Sequence, residues 1–371
     1  MNDDRIQRVR DIQGACYIPS WSRTTLDAWG SAFQPSQFLR EVSYAAGLGL
    51  NALRIWTNVW GYENDPTAYR QNLTFVFDEA HKRGIGIHLN LFDSGGGGPE
   101  TAADGEIPSL ADVRASVEGD EFLQSLLAGK ILTKGMQVFG MPQLVSVPER
   151  DGSIAVWDVS PVFREPWFVA SPGYAHLGQE YWDRWDAYVD DLVTNFRDHP
   201  GLLIIDVMNE PFIVARWGVD VDPVRRFYTH AYELVRQLAP DIPVTIGAEN
   251  LEVFRQYEAD LPSLMDAVSI HPLTFNKADF RKRIKAAKAF ANETGGRPVI
   301  ASEWGAFPGA HDTEQLDLYR SHFPILNESG VAWELTHLIS GYGQAALTAI
   351  LHPNGTMRPA ARFVRDALAP W

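Results

Sequence analysis

The sequence predicts an α/β fold: one (β/α)8 barrel carrying a long insertion after its third strand. Three observations lead there. The apolar period switches repeatedly between two and 3.6, so strands and helices alternate along the chain. Eight strand-like runs are present, nearly all followed by a helical one, as a barrel of this type requires. And 371 residues, 45% of them hydrophobic and 21% charged, suit a soluble barrel with an insertion better than a two-layer domain.

The elements follow in order. Strand one is predicted over 14–19 and a helix over 35–48. Strand two, 51–57, sets Leu53 and Ile55 on one face and Ala52, Arg54 and Trp56 on the other. A helix over 68–83 stops at Gly84. Strand three, 86–92, turns Ile87, Leu89 and Leu91 one way and His88 and Asn90 the other. The stretch 93–177 is irregular and opens with Gly95-Gly96-Gly97-Gly98-Pro99. At this length it reads as a functional insertion, with a helix of its own near 110–127. Its Trp157, Trp167, Tyr174 and His176 are expected over the barrel mouth. Regularity returns with a helix over 180–196, striped by Trp185, Val189, Leu192 and Phe196. Strand four (202–208), a helix (223–238) and strands five (243–248) and six (267–272) come next. A helix over 280–293, capped by Asp279, precedes strand seven, 298–304. A helix over 314–329, strand eight over 331–336 and a last helix over 359–368 complete the count. No linker, repeat or low-complexity tract divides the chain. Residues 1–371 therefore read as a single domain, with 93–177 as its insertion.

Composition removes several function classes. A net charge of −15 argues against nucleic acid and anionic membranes as partners. Cys16 is the only cysteine, so no intrachain disulfide or thiolate metal cluster can form. The start, Met1-Asn2-Asp3-Asp4-Arg5, is charged with no apolar stretch behind it, unlike a secretory signal, and a cytoplasmic setting is expected. No His-Glu-x-x-His or similar ligand set occurs, so no metal and no other cofactor is expected. His88 is read as a satisfied interior histidine.

Two strings carry the chemistry: Ile205-Asp206-Val207-Met208-Asn209-Glu210-Pro211 and Val299-Ile300-Ala301-Ser302-Glu303-Trp304-Gly305. Each is an apolar run that stops at a glutamate. A buried carboxylate is costly unless paired, so two strands ending this way suggest two carboxylates facing one cavity, as glycoside hydrolysis needs. Barrel enzymes build their sites at the C-terminal ends of the strands. That rim would collect Arg54 and Trp56 from strand two, Asn90 and Asp93 from strand three, and Asn209 and Glu210 from strand four. Strand five would add Glu249 and Asn250, strand six His271, strand seven Glu303 and Trp304, and strand eight Trp333 and Glu334. Amides and charges bind hydroxyls and indole faces stack on sugar rings, so the expected substrate is a carbohydrate.

Asn209-Glu210-Pro211 ending strand four, with Glu303 ending strand seven, resembles the clan A glycoside hydrolases. Arg54 in Leu-Arg-Ile-Trp, His271 after strand six and Trp333 on strand eight make the chain similar to glycoside hydrolase family 5 within that clan. The resemblance runs from about Gly14 to Trp333. It implies that Glu210 is the general acid/base and Glu303 the nucleophile. It implies further that Asn209 bonds the hydroxyl beside the anomeric carbon and that Arg54 keeps Glu303 ionised. His271 would orient catalytic groups or substrate, and Trp333 would floor the −1 subsite. One departure stands out: where the family often has His-x-Tyr, this chain has His271-Pro272-Leu273.

The expected chemistry is therefore hydrolysis of β-linked glycosides with retention, by an enzyme acting from the ends of small oligosaccharides, β-mannosidase- or β-glucosidase-like. An endo-acting β-mannanase or β-glucanase with an open cleft is the alternative. From other classes, a catalytically inactive sugar-binding barrel and a barrel lyase or isomerase are carried alongside.

Overall fold

The computed structural model describes residues 3–22, 25, 28–93, 132–133, 144–148, 154–158, 170–212, 220–249, 251–257, 261–305, 312–339 and 348–369. Eight parallel strands close into a barrel in chain order: β1 Gln13–Tyr17, β2 Ala52–Trp56, β3 Gly86–Asp93, β4 Leu202–Asn209, β5 Val244–Ala248, β6 Val268–Ile270, β7 Val299–Trp304 and β8 Ala332–Leu335. β8 pairs back onto β1, with Gly14 opposite Glu334.

The helices of the outer layer are α2 Pro35–Gly47, α4 Pro66–His81, α5 Trp182–Phe196, α6 Asp222–Leu238, α8 Lys277–Glu293, α9 Asp312–Ser329 and α10 Pro359–Leu368. The predicted stripe of α5 is buried at Trp185, Val189, Leu192 and Phe196. Three shorter helices carry too few residues for an apolar period to show: α1 Asp3–Arg10, α3 Val59–Asn64 and α7 Leu251–Tyr257. The Asn58 side chain starts α3 by accepting from the N–H groups of Trp60 and Gly61. The expected cap of α8 moves from Asp279 to Asn276, whose side chain accepts from Ala278 N and Asp279 N. Asp279 lies inside the first turn and pairs with Arg283 at 2.9 Å. Among the described residues no helix is long and apolar enough to cross a membrane.

Packing divides into two apolar bodies. The larger lies between barrel and helices and takes Leu53, Ile55, Ile87, Leu89 and Leu91, the outward faces read from β2 and β3. The smaller takes Ala52, Ile204, Ala267, Ile300 and Ala332 with Val9 and Ile12, so α1 and the turn after it close the N-terminal end of the barrel. Above this floor the interior turns polar: Arg54, His88, Asp206, Ser269, Ser302 and Glu334 are all buried.

The insertion leaves and re-enters at one place on the rim. Asp93 N donates to Ser171 O at 2.5 Å, Gly173 N to Asp93 O at 3.3 Å, and Val59 N to Ser171 Oγ at 2.8 Å. Within it, 132–133, 144–148 and 154–158 form an antiparallel three-stranded sheet, an element the irregular sequence there did not announce. The helix expected near 110–127 and Trp167 lie outside the described residues. Tyr174 and His176 form part of the returning turn: Tyr174 donates to Asp220 O at 2.7 Å, and the His176 ring meets Trp60 edge-on at 4.8 Å.

Candidate active site

Strict alternation would not bring the two glutamates into one space. The register of β4 against β5 shifts between Asp206 and Asn209, and that of β7 against β8 shifts between Ala301 and Trp304. Such irregularities re-aim side chains. Here they let Asp206 and Asn209 both face inward, and turn Glu303 inward directly after Ser302, which also faces inward. Glu210 follows directly, with φ at 40°. A non-glycine residue in that region costs about 1–3 kcal/mol and persists only where the surroundings impose it. The bond from Glu210 N to Gly247 O, 2.8 Å, is part of what imposes it.

Arg54 is the centre. Its Nη1 donates to Glu303 Oε1 at 2.6 Å, and its Nη2 donates to Asp206 Oδ2 at 2.7 Å and Asn209 Oδ1 at 2.6 Å. Burial opposes the guanidinium charge, but Asp206 and Glu303 outweigh it and hold the pKa well above its ordinary value. Trp56 lies against this cation, its ring centroid 4.6 Å from the guanidinium carbon. Asn209, its carbonyl taken by Arg54, donates Nδ2–H to Asp93 Oδ2 at 2.7 Å.

His271 joins the glutamates. Its Nδ1 shares a 2.7 Å hydrogen bond with Glu210 Oε1, and its Nε2 lies 3.8 Å from Glu303 Oε1. Burial pushes the imidazole pKa down, but the charge of Glu303 and the bond and charge of Glu210 carry it above the ordinary histidine value. Glu210, His271 and Glu303 each bring a ligand-capable atom within 4.8 Å of the others. Among the described residues these three could together touch a metal ion, but the guanidinium on Glu303 disfavours a cation there. The arrangement is a carboxylate held by a fixed cation, facing a second carboxylate bonded to a histidine.

Several expected residues do not reach this space. Trp333, expected under the sugar, is buried in the outer layer, its ring 5.3 Å from Phe323 of α9 and 6.2 Å from Trp304. Its neighbour Glu334 takes the inward face, because consecutive strand residues point to opposite sides. Trp304, also expected at the substrate, is fully buried against Phe280, Tyr319 and Phe323. Asn90 is buried and bonds protein groups instead of solvent: its amide donates to Phe92 O and accepts from Asn209 N, both at 3.1 Å. Asp93 is buried as well and serves to hold Asn209. Glu249 ends β5 as a buried residue, and Asn250 lies outside the described residues. His88 is interior and hydrogen-bonded, at 2.8 Å from Glu334 Oε2.

Asp206 was overlooked in the sequence although it sits inside the Asn-Glu-Pro string. Its signal is a charge in the middle of an apolar strand, between Ile205 and Val207. Gly247 was overlooked too. A Cβ there would stand 3.0 Å from Arg54 Nη2, Asp206 Oδ2 and His271 Nε2 at once. Gly247→Ala is therefore expected to destabilise the fold by about 1–3 kcal/mol, the usual cost of overpacking, as read by urea denaturation. An unchanged midpoint would show that the three polar groups can make room.

Residues 164–338 match the family described as Cellulase (glycosyl hydrolase family 5). No curated protein sequence matches the chain. Among solved structures, an exo-β-1,4-mannosidase from Opitutaceae bacterium strain TAV5 is similar at TM-score 0.60 and 16% identity, over 97% of this chain and 61% of that one. An endo-1,4-β-D-mannanase from Thermotoga petrophila RKU-1 is similar at TM-score 0.57 and 13% identity, over 96% and 99%. A GH2 β-galacturonidase from Eisenbergiella tayi is similar at TM-score 0.56 and 11% identity, over 96% of this chain. The chain spans 51% of the length of that last protein. At such identities the likeness speaks for the barrel.

Proposed function

We propose that the chain is a clan A glycoside hydrolase resembling family 5, a reading that the family match over residues 164–338 supports, and that it cleaves β-glycosidic bonds by double displacement, with retention at the anomeric carbon. Glu303 attacks the anomeric carbon while Glu210 gives its proton to the departing oxygen, and a glycosyl ester forms on Glu303. Glu210, now a carboxylate, takes a proton from water. The resulting nucleophile opens the ester, freeing the sugar and restoring both side chains. Asn209, fixed between Arg54 and Asp93, is placed to bond the hydroxyl beside the reacting carbon. Trp56 and His271 line the same space.

The observation that carries this reading is the closeness of the two carboxylates. Glu210 and Glu303 bring oxygens within 4.8 Å of each other. Retaining enzymes hold these groups about 5–5.5 Å apart and inverting ones about 6.5–9.5 Å, to seat a water. A reaction followed by proton NMR should show the β anomer as first product, and a 2-fluoro glycosyl fluoride should label Glu303. An α anomer, or label on another residue, would refute the scheme.

For substrate, we favour exo action on small β-linked oligosaccharides, β-mannosidase- or β-glucosidase-like. Support comes from the insertion, whose ends meet on the rim at Asp93, beside Asn209, where added chain can shorten a cleft. The similarity to an exo-mannosidase agrees with it. The endo reading draws on the Thermotoga mannanase, whose whole length this chain nearly matches. Release of monosaccharide alone from a β-linked tetrasaccharide supports the exo reading, and internal cuts support the endo one.

A further inference from the structure

We propose that Phe275 is the platform for the departing half of the substrate: a ring on the rim against which the first sugar beyond the cleaved bond rests. The inference rests on Glu210 being the acid that protonates the departing oxygen.

Glu210 sets the side of the cavity. The departing oxygen must come within hydrogen-bond reach of its carboxyl, about 2.6–3.2 Å. That carboxyl leans from the end of β4 toward the end of β6, because His271 Nδ1 holds its Oε1 at 2.7 Å. The sugar that stays lies on the other side of the oxygen, where Arg54 holds Glu303 and Asn209. What departs therefore lies over the connection from β6 to α8. That connection runs from 271 to 276, and Phe275 is next to its last residue. Four residues of extended chain reach about 14 Å at most. Here the reach is shorter, since Leu273 N turns back to His271 O at 2.8 Å. Phe275 is thus within reach of a sugar joined at the departing oxygen.

Phe275 is 41% exposed, and among the described residues no other large apolar side chain is exposed. The helix that follows hides its own rings: Phe280 and Phe290 of α8 are 1% and 6% exposed. A lone apolar residue is ordinary on a protein surface. This one differs because the loop that presents it is fixed on both sides. His271 N donates to Ala248 O at 2.9 Å, and Pro272 has its φ set by its own ring. Asn276 N donates to Thr274 Oγ1 at 3.2 Å, and the Asn276 side chain caps α8. The loop begins at the histidine bonded to the catalytic acid. A phenyl ring offers a sugar packing against its C–H face and no hydrogen bond. It therefore favours a ring in the departing group without choosing among that ring's hydroxyls. Once the group has left, the same surface receives a second sugar. A hydroxyl of that sugar attacks the anomeric carbon in place of water, Glu210 takes its proton, and the bond to Glu303 breaks.

The test compares the β-linked disaccharide that the protein cleaves best with the β-glycosyl fluoride of the same sugar, whose departing group has no ring. Phe275→Ala is expected to lower kcat/KM about tenfold on the disaccharide, mainly through KM, and by less than about twofold on the fluoride. Phe275→Trp should keep the disaccharide value. The ester left on Glu303 by a 2-fluoro glycosyl fluoride gives a second readout. Added disaccharide should release it faster than water does in the wild-type protein, and about tenfold less effectively in Phe275→Ala, with release by water unchanged. A wild-type disaccharide value in Phe275→Ala, or an equal loss on the fluoride, would overturn the proposal. If that chain does not fold, Phe275→Leu decides on the same criteria. Label missing from Glu303 in the wild-type protein overturns the double-displacement reading, whereas label on Glu303 with unmoved disaccharide values overturns only the platform.

Discussion

Glu303→Ala is expected to lose turnover by on the order of 10⁴–10⁶-fold on every substrate, because in the proposed scheme it removes the group that forms the bond to the anomeric carbon. Glu210→Ala should behave differently. Its proton is needed only in proportion to the basicity of the departing oxygen, so a dinitrophenyl glycoside should be cleaved to the enzyme ester at near the normal rate, whereas a disaccharide should lose about 10²–10⁴-fold. The second step then stalls in this variant, since water has no base, and KM falls as the ester accumulates. Azide distinguishes the two further. Added to Glu210→Ala it should open the ester and give the β-glycosyl azide. Added to Glu303→Ala it should attack free substrate and give the α-glycosyl azide. Equal losses for both variants across a series of leaving groups, or the same azide anomer from both, would sink the division of roles. The structure bears on a further contrast. Glu303 is partly open to the cavity, and Arg54 keeps Asp206 and Asn209 when Glu303 is cut back. Glu303→Ala should thus unfold at nearly the wild-type denaturant concentration, so its inactivity cannot be traced to lost structure.

How far the chain could be read in advance depended on the regularity of each strand. β2 keeps its period and β3 keeps it as far as Leu91, before Phe92 packs outward as well, and the faces assigned to Leu53, Ile55, Arg54 and His88 match the packing. β4 and β7 break it just before their glutamates, and no count of alternating residues can show a register shift set by the neighbouring strand. That is why Asp206 escaped notice while Asn209 did not. Trp333 shows the opposite failure. A motif resemblance placed it at the sugar, although alternation from inward Glu334 already turned it to the helices. Burial is equally illegible in a rim residue: Asn90 and Asp93 have the chemistry to bind a hydroxyl, but Asn209 and the backbone claim them first. The short helix α1 is polar along most of its length, and only its contact with the barrel floor gives it a purpose.

Arg54→Met should separate what holds the fold from what drives the reaction. The substitution fills most of the volume but leaves Asp206 and Glu303 without their cation. Breaking a buried pair from one side costs about 3–5 kcal/mol, since the remaining charge stays desolvated. The two partners are not equivalent here: the side chain of Asp206 is 0% exposed and that of Glu303 14%. The stability cost should therefore fall mainly on Asp206, and the loss of turnover, about 10²–10³-fold, mainly on Glu303. The double variant Arg54→Met with Asp206→Asn tests that assignment. It removes the uncompensated interior charge, so denaturation by urea should recover most of the lost stability. Turnover should stay low, because Glu303 still lacks its guanidinium. Arg54→Lys should fall between, since one ammonium cannot reach Glu303, Asp206 and Asn209 together as the planar fork does. Recovery of turnover along with stability in the double variant would mean that Arg54 serves the barrel alone, and that its bond to Glu303 contributes nothing to the reaction.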